Sequence, residues 1–124
     1  AAAFDLPKPT FRHIAYDKYK ATRPEAAKDL IDQFARSREM VSVFGISIFN
    51  KETFEADDII GTIVEKLKRE KDLKIIIASG DLDTLQLVDD EKVVVYTLRK
   101  GIQDTLFYNE EEVKIEKKSC ESIS

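Results

Sequence analysis

No run of about 18 uncharged apolar residues occurs in the chain, so a membrane-spanning helix is not expected. The opening AAAFDLPKP has no basic segment followed by an apolar core, which argues against a secretory leader. There is one cysteine, Cys120, so an internal disulfide and a cysteine-based zinc cluster are both excluded. There is one histidine, His13, which reads as a polar surface residue or a neighbour of a phosphate rather than a metal ligand or base. Ser79 and Thr84 therefore have no histidine partner suited to nucleophilic catalysis. Internal repeats, low-complexity segments and Gly/Ser linkers are also missing, and the three prolines (Pro7, Pro9, Pro24) all fall in the first part. These absences leave a soluble, cytoplasmic protein as the expectation.

A chain of 124 residues, 43% hydrophobic, suffices for one core and is too short for two ordinary domains. One domain is expected over residues 1–113, followed by a polar tail over 114–124 that ends KKSCESIS. A net charge of −4 argues against a polyanionic partner, but the charge is unevenly spread. Between Lys8 and Lys28, the six bases Lys8, Arg12, Lys18, Lys20, Arg23 and Lys28 stand against only Asp17 and Glu25, whereas acids gather at 55–58, 81–91 and 110–112. That layout suits a polyanion on one face and a cation on another, and equally a mixed solvated surface.

Leu30, Ile31, Phe34, Val41 and Phe44 recur at helical spacing within 25–44, so a helix with one buried face is expected, started by Pro24 and Glu25 and stopped by Gly45. GISIF (45–49) reads as a short strand. Ile59, Ile60, Ile63, Val64 and Leu67 form a dense stripe for a second helix reaching about Arg69. LKIIIAS (73–79) reads as a strand buried on both faces, 83–88 as a short helix, and KVVVYTL (92–98) as another strand. Phe4 and its alanine neighbours supply a first strand, although alanine has poor β-propensity. Alternating strands and helices imply an α/β fold: a doubly wound, mainly parallel sheet flanked by helices.

Such sheets bind ligands beyond the carboxyl ends of their strands, where acids are concentrated here. Asp5 follows the first strand, Glu55, Asp57 and Asp58 follow GISIF in FEADDIIGT, and Asp81 and Asp83 follow LKIIIAS through Gly80. Six carboxylates delivered to one edge would repel by roughly 1 to 4 kcal/mol per close pair. A divalent cation compensates most simply, and an all-oxygen set favours Mg²⁺ or Mn²⁺ over zinc. Two such ions can hold a scissile phosphate and activate water, the chemistry of phosphodiester hydrolysis. The alternatives stay open: helix-start electrostatics for FEADD, and an ordinary Asp cap and turn for SGDLD.

FRHIAYDKYKATR (11–23) interleaves Arg12, His13, Lys18, Lys20 and Arg23 with Phe11, Tyr16 and Tyr19. Bases contact phosphates and rings stack on bases, as in a surface that grips a single strand. An amphipathic helix with packed tyrosines explains the same letters.

Three stretches in order, FDLPKPTFRHIAYDKYKATRPEAAKDL (4–30), FEADDIIGT (54–62) and ASGDLDTLQLVDDEKVVVYTLRKGI (78–102), make the chain resemble the 5′-to-3′ exonuclease, flap endonuclease-like domain of bacterial DNA polymerase I over about residues 4–113. The resemblance implies a PIN-like α/β fold, two divalent metals, and action on DNA 5′ flaps and 5′ ends in replication and repair. It makes Asp5, Glu55, Asp57, Asp58, Asp81 and Asp83 metal-site acids, and Arg12, Tyr16, Lys20 and Arg23 part of an arch that grips the 5′ strand. Asp57, Asp81, Lys20 and Arg12 become the catalytic set, the last two orienting the phosphate.

The family also opens with an earlier strand and continues into a helix-hairpin-helix region, neither of which these residues show. Ser47 and Ala27 stand where proline is expected, and Ala1 to Ala3 where larger strand residues are. The chain therefore reads as a truncated fragment, with engineering as one origin. Closing the gap would give the strand order 2-1-3-4, and the other solution is a homo-oligomer in which a second copy covers the open edges. A catalytically silent α/β module is the rival reading. A receiver-like signalling domain stands third, with no use for the basic aromatic segment.

Overall fold

Very short strands and one long helix make up the first part of the chain in the computed structural model, which describes residues 1–22, 27–89, 92–98 and 105–121. Backbone contacts divide the chain into two compact units, Ala1–Ile59 and Ile60–Ser124.

In the first unit, β1 (Ala2–Ala3) pairs in parallel with β2 (Ile48–Phe49), Ala2 opposite Ile48 and Ala3 opposite Phe49. Ala2 N–H donates to Ser47 O at 2.8 Å and Phe4 N–H to Phe49 O at 3.0 Å, which extends the ladder at each end. The short helix α1 (Phe11–Ala15) follows Thr10, and α2 runs over Lys28–Val43. Pro24 and Glu25, expected to start that helix, lie outside the described residues.

The helix stops where Gly45 was expected to stop it. Gly45 N–H donates to Ser42 O at 2.9 Å and Ile46 N–H to Val41 O at 3.2 Å, with Gly45 at φ +69, the paired bonds of a Schellman ending. Gly45 and Ile46 thus belong to the helix ending, and only Ile48–Phe49 of GISIF forms strand. The expected buried face of α2 is not found. No residue of α2 is buried, and Leu30, Ile31 and Phe34 are 45%, 53% and 52% exposed. Length explains it: sixteen helical residues extend about 24 Å, whereas a two-residue strand spans about 7 Å.

The core lies in the second unit. Helix α3 (Ala56–Leu67) starts in the first unit and brings Ile60 and Val64 to the second. There β3 (Ile75–Ala78) pairs in parallel with β4 (Val93–Leu98), which pairs antiparallel with β5 (Thr105–Tyr108). A 3-10 helix, Leu82–Leu87, connects β3 toward β4. Val64, Ile77, Val93, Val95 and Tyr108 are buried together, with Ile60, Ile75, Leu85, Leu87, Val88, Leu106 and Val113 packed around them.

Strand alternation puts Ile76, Tyr96 and Phe107 on the opposite face of this sheet. Ile76 is 58% exposed and Phe107 52%, so β3 is buried on one face and not on both as its unbroken apolar run suggested. The strands form two sheets, β1–β2 and β3–β4–β5, rather than one of order 2-1-3-4. The architecture is α/β with mainly parallel pairing, and the antiparallel β5 was not anticipated.

The expected polar tail begins inside a further helix, α4 (Glu110–Glu121). Its start is a capping box: Asn109 Oδ1 accepts from Glu111 N–H at 2.9 Å and Glu112 N–H at 3.1 Å, while Glu112 Oε2 accepts from Asn109 N–H at 2.8 Å. The N-x-x-E signal at 109–112 was present in the sequence. No helix among the described residues is long and apolar enough to cross a membrane.

Gly61 sits inside α3 in ordinary helical geometry. A Cβ there would meet Leu87 Cδ2 at 3.8 Å, normal van der Waals contact. Gly61→Ala is therefore expected to raise the unfolding free energy by about 0.5 to 1 kcal/mol through lower backbone entropy in the unfolded chain. Urea titration measures it, and destabilisation would mean that Leu87 cannot yield.

Candidate functional site

Asp5 comes just after β1, and Glu55 to Asp58 come a short loop after β2, so both groups lie beyond the carboxyl ends of the two parallel strands of the first unit. The structure joins them directly. Asp5 Oδ1 accepts the Ala56 N–H at 2.6 Å, at an amide that the first turn of α3 leaves without a helical partner. Arg38 of α2 holds the Asp5 backbone in turn, its Nη2 donating to Asp5 O at 2.6 Å while its guanidinium lies 4.9 Å from the Phe4 ring centre.

Within FEADD, Asp58 Oδ2 accepts the Glu55 N–H at 2.9 Å, so the acid reaches back over the helix start. Helix-start electrostatics are thus realised, through Asp5 and Asp58. Glu55 is buried, Asp58 is half-buried, and Asp57 is exposed beside them.

The basic aromatic segment returns onto these acids. Phe11 N–H donates to Thr53 O at 2.8 Å, and the Phe11 and Phe54 rings stand 5.7 Å apart. Arg12 then meets Asp58 with a two-pronged bond, Nη1 to Oδ2 and Nη2 to Oδ1, both 2.7 Å, and its Nη1 lies 3.6 Å from Glu55 Oε2. Lys20 Nζ donates to Glu55 Oε1 at 2.8 Å and Tyr19 OH to Glu55 Oε2 at 3.1 Å. Lys20 holds this position with φ +54, a left-handed conformation that costs a residue with a Cβ on the order of 1 kcal/mol.

These contacts shift the titrations. The Arg12 fork holds Asp58 below the usual carboxylate range, against a smaller opposing effect of burial. Burial pushes Glu55 up, but its bonds from Lys20 and Tyr19 outweigh that and leave it lowered. Lys20 is disfavoured by burial, and its contacts with Glu55 and Tyr19 still raise it above its ordinary 10.5.

Of the remaining residues singled out by sequence, Tyr16 closes α1 and is 60% exposed. Arg23 lies outside the described residues. His13 serves the start of α1, its Nδ1 accepting from Thr10 N–H at 3.2 Å and lying 2.9 Å from Thr10 Oγ1. Tyr19 was not in the expected site set. Its signal was the alternation of rings and bases in YDKYK.

Asp81 and Asp83 belong to the second unit, beyond the carboxyl end of β3. Asp81 Oδ1 accepts the Asp83 N–H at 2.9 Å, and Asp81 O accepts from Thr84 Oγ1 at 2.6 Å. Asp81 therefore caps the 3-10 helix, the turn-and-cap role that SGDLD allowed, and Asp83 is exposed.

The donor set of the first unit, Asp5, Glu55, Asp57 and Asp58, is all carboxylate oxygen, and its chemistry fits a hard divalent cation rather than zinc. Two of the four are already neutralised by Arg12 and Lys20. Among the described residues, no three acidic, histidine or cysteine side chains are gathered as a metal-holding group.

Comparison with known proteins places the chain in a family. The chain is 40% identical over 112 residues to DNA polymerase I of Bacillus subtilis, covering 90% of this chain and 12% of that protein. It is 36% identical over 113 residues to DNA polymerase I of Mycobacterium tuberculosis (91% and 12%). It is 37% identical over 115 residues to DNA polymerase I of Chloroflexus aurantiacus (92% and 12%). The chain thus spans about an eighth of the length of these relatives. Residues 1–118 match the family described as "5'-3' exonuclease, N-terminal resolvase-like domain", and the chain belongs to that family.

Proposed function

We propose that residues 1–113 act as a divalent-metal-dependent 5′-to-3′ exonuclease and flap endonuclease module on DNA, in the cytoplasm, with 114–124 as its tail. The observation that carries this reading is the meeting of Asp5 with the Glu55–Asp58 acids at the start of α3, with the Arg12 and Lys20 bases against them. In this reading Asp5, Glu55, Asp57 and Asp58 in the first unit are ligands for Mg²⁺ or Mn²⁺, and Asp81 and Asp83 are the metal-site acids of the second. Such a cation supplies charge neutralisation at the scissile phosphate and promotes water as the nucleophile. The chain's own residues do the rest. Arg12 and Lys20 offer donors to the phosphate oxygens, Tyr16 presents an exposed ring to an unstacked base, and Arg23 extends the basic segment.

The test is a labelled 5′-flap DNA incubated with Mn²⁺ and either the chain or its Asp57→Asn, Asp81→Asn double variant. Cleavage by the parent is expected, with the variant reduced by at least about a hundredfold, because lost metal ligands forfeit several kcal/mol of transition-state stabilisation. Equal cleavage by both would reject the assignment of these acids.

The pairing of Glu55 and Asp58 with Lys20 and Arg12 favours a second reading, a catalytically silent α/β module. Metal binding by calorimetry without any cleavage would support it.

Association with a second copy belongs to the same proposal. β3 is an edge strand of its sheet, Ile76 is exposed on it, and α2 leaves Leu30, Ile31 and Phe34 open. Size-exclusion chromatography with light scattering is expected to give twice the chain mass of 14.2 kDa, and the single-chain mass would reject association.

A further inference from the structure

Every carboxylate oxygen of Glu55 and Asp58 already has a donor. Glu55 Oε1 takes Lys20 Nζ, and Glu55 Oε2 takes Tyr19 OH with Arg12 Nη1 nearby. Asp58 Oδ1 takes Arg12 Nη2, and Asp58 Oδ2 takes both Arg12 Nη1 and the Glu55 amide. Two negative charges are balanced by two positive ones, inside a group whose side chains are only 10% to 32% exposed. Asp5 and Asp57 bring the acids of this unit to four, so total charge leaves room for a divalent cation, and the conflict lies at particular oxygens. Inner coordination to Glu55 or Asp58 requires an oxygen that a base now holds.

We propose that Arg12 and Lys20 form an internal counter-ion lock on Glu55 and Asp58, so that a divalent cation competes with them for these acids and, on binding, frees residues 16–22 and the Arg12 side chain as an anion-binding arm. The inference rests on the reading above that these acids take a divalent cation.

The arm is built to let go. Residues 16–22 contain no strand or α-helix; Tyr19 N–H to Tyr16 O and Ala21 N–H to Lys18 O, at 2.9 and 3.2 Å, are turn bonds within it. Its attachment to the acids runs through side chains, and the left-handed backbone at Lys20, where φ is +54, accompanies the reach of the Lys20 head to Glu55. An approaching polyanion pulls Arg12 and Lys20 the same way, so phosphate and divalent cation favour each other's binding through this one element. Without an anion, the lock holds cation affinity down.

Calorimetric titration of the whole chain with Mn²⁺ alone tests this, comparing the parent with Arg12→Gln, Lys20→Gln and, as a control for lost positive charge, Lys8→Gln. Lys8 pairs with Glu52, outside the lock. A lock closed about nine-tenths of the time lowers apparent affinity about tenfold, so Arg12→Gln and Lys20→Gln are each expected to bind Mn²⁺ up to about tenfold more tightly, with Lys8→Gln unchanged. Measurable Mn²⁺ binding of equal or lower affinity in the two lock variants would overturn the lock and leave the metal reading standing. Absence of binding in all four proteins would remove the metal reading and the lock with it. Circular dichroism verifies folding first. Should Arg12→Gln unfold, Lys20→Gln decides, since it keeps the Arg12–Asp58 fork.

Discussion

Replacing Tyr108 by alanine is expected to lower the unfolding free energy by about 3 to 5 kcal/mol, the range for deleting a large aromatic from a close-packed core. Tyr108 is the last residue of β5 and is 2% exposed. Its strand partner is Val95 on the central strand β4, itself buried, and its cluster reaches Val64 on α3 and Ile77 on β3. One side chain therefore touches a core drawn from four elements of the second unit. Removing it leaves a cavity that a three-stranded sheet, pinned by its ladder, collapses around only in part.

The paired measurement is Phe107→Ala. Phe107 sits one residue earlier, so strand alternation places it on the opposite face, where it is 52% exposed and meets Tyr96 at 5.0 Å between ring centres. Its loss is expected to cost about 1 kcal/mol, the worth of an aromatic contact with limited burial. Urea unfolding of both variants gives the comparison. Similar values for neighbouring aromatics would show that the sheet is covered on both faces or on neither. Total stability of such a domain is about 5 to 15 kcal/mol, so the Tyr108 change alone takes a large share.

That contrast bears on what was legible in the letters. Ile60, Ile63, Val64 and Leu67 announced α3 because a helix with one buried side leaves a period, and Gly45 announced the end of α2 because its backbone must turn left-handed. KVVVYTL announced β4 because a central strand excludes polar residues from both faces. LKIIIAS carried the same signature and misled, since apolar letters record which faces accept cover and not which are covered.

The stripe on α2 misled for the same reason. α4 was missed because its stripe is thin and its first turn holds three acids; its capping box was the better signal. Within the site, the acids at 5 and 55–58 were visible as strand-end residues. That Arg12 and Lys20 close onto them was not, because it depends on the chain returning across more than thirty residues, through Phe11 against Thr53 and Phe54.

The first unit lacks any buried hydrophobic residue among those described, so its ion pairs carry a larger part of its cohesion than such pairs usually do. Asp58→Ala is accordingly expected to cost about 2 to 3 kcal/mol. It removes a two-pronged, charge-assisted bond worth about 1.5 to 3 kcal/mol to Arg12, discounted because the two side chains keep 32% and 20% of their exposure, and a back-bond to the Glu55 amide worth about 1 kcal/mol. Glu52→Ala is the comparison. It breaks a close ion pair whose members are 57% and 69% exposed, and no measurable change in stability is expected, because solvent screens an exposed pair.

The acid limb gives the decisive reading. Asp58 and Glu55 are lowered in the folded chain, so their contribution is present above the ordinary carboxylate range near pH 4 and is lost as pH falls through their depressed values. Parent and Asp58→Ala should therefore differ fully at neutral pH and converge in acid, as the parent's Asp58 becomes protonated below the ordinary carboxylate range and Arg12 loses its partner. Lys20 is raised, so its contribution persists through neutral pH and is lost only above its ordinary 10.5. A gap between the two proteins that stays constant into acid would mean that Asp58 acts by packing rather than by charge, and the fork from Arg12 would then hold nothing that a neutral side chain could not.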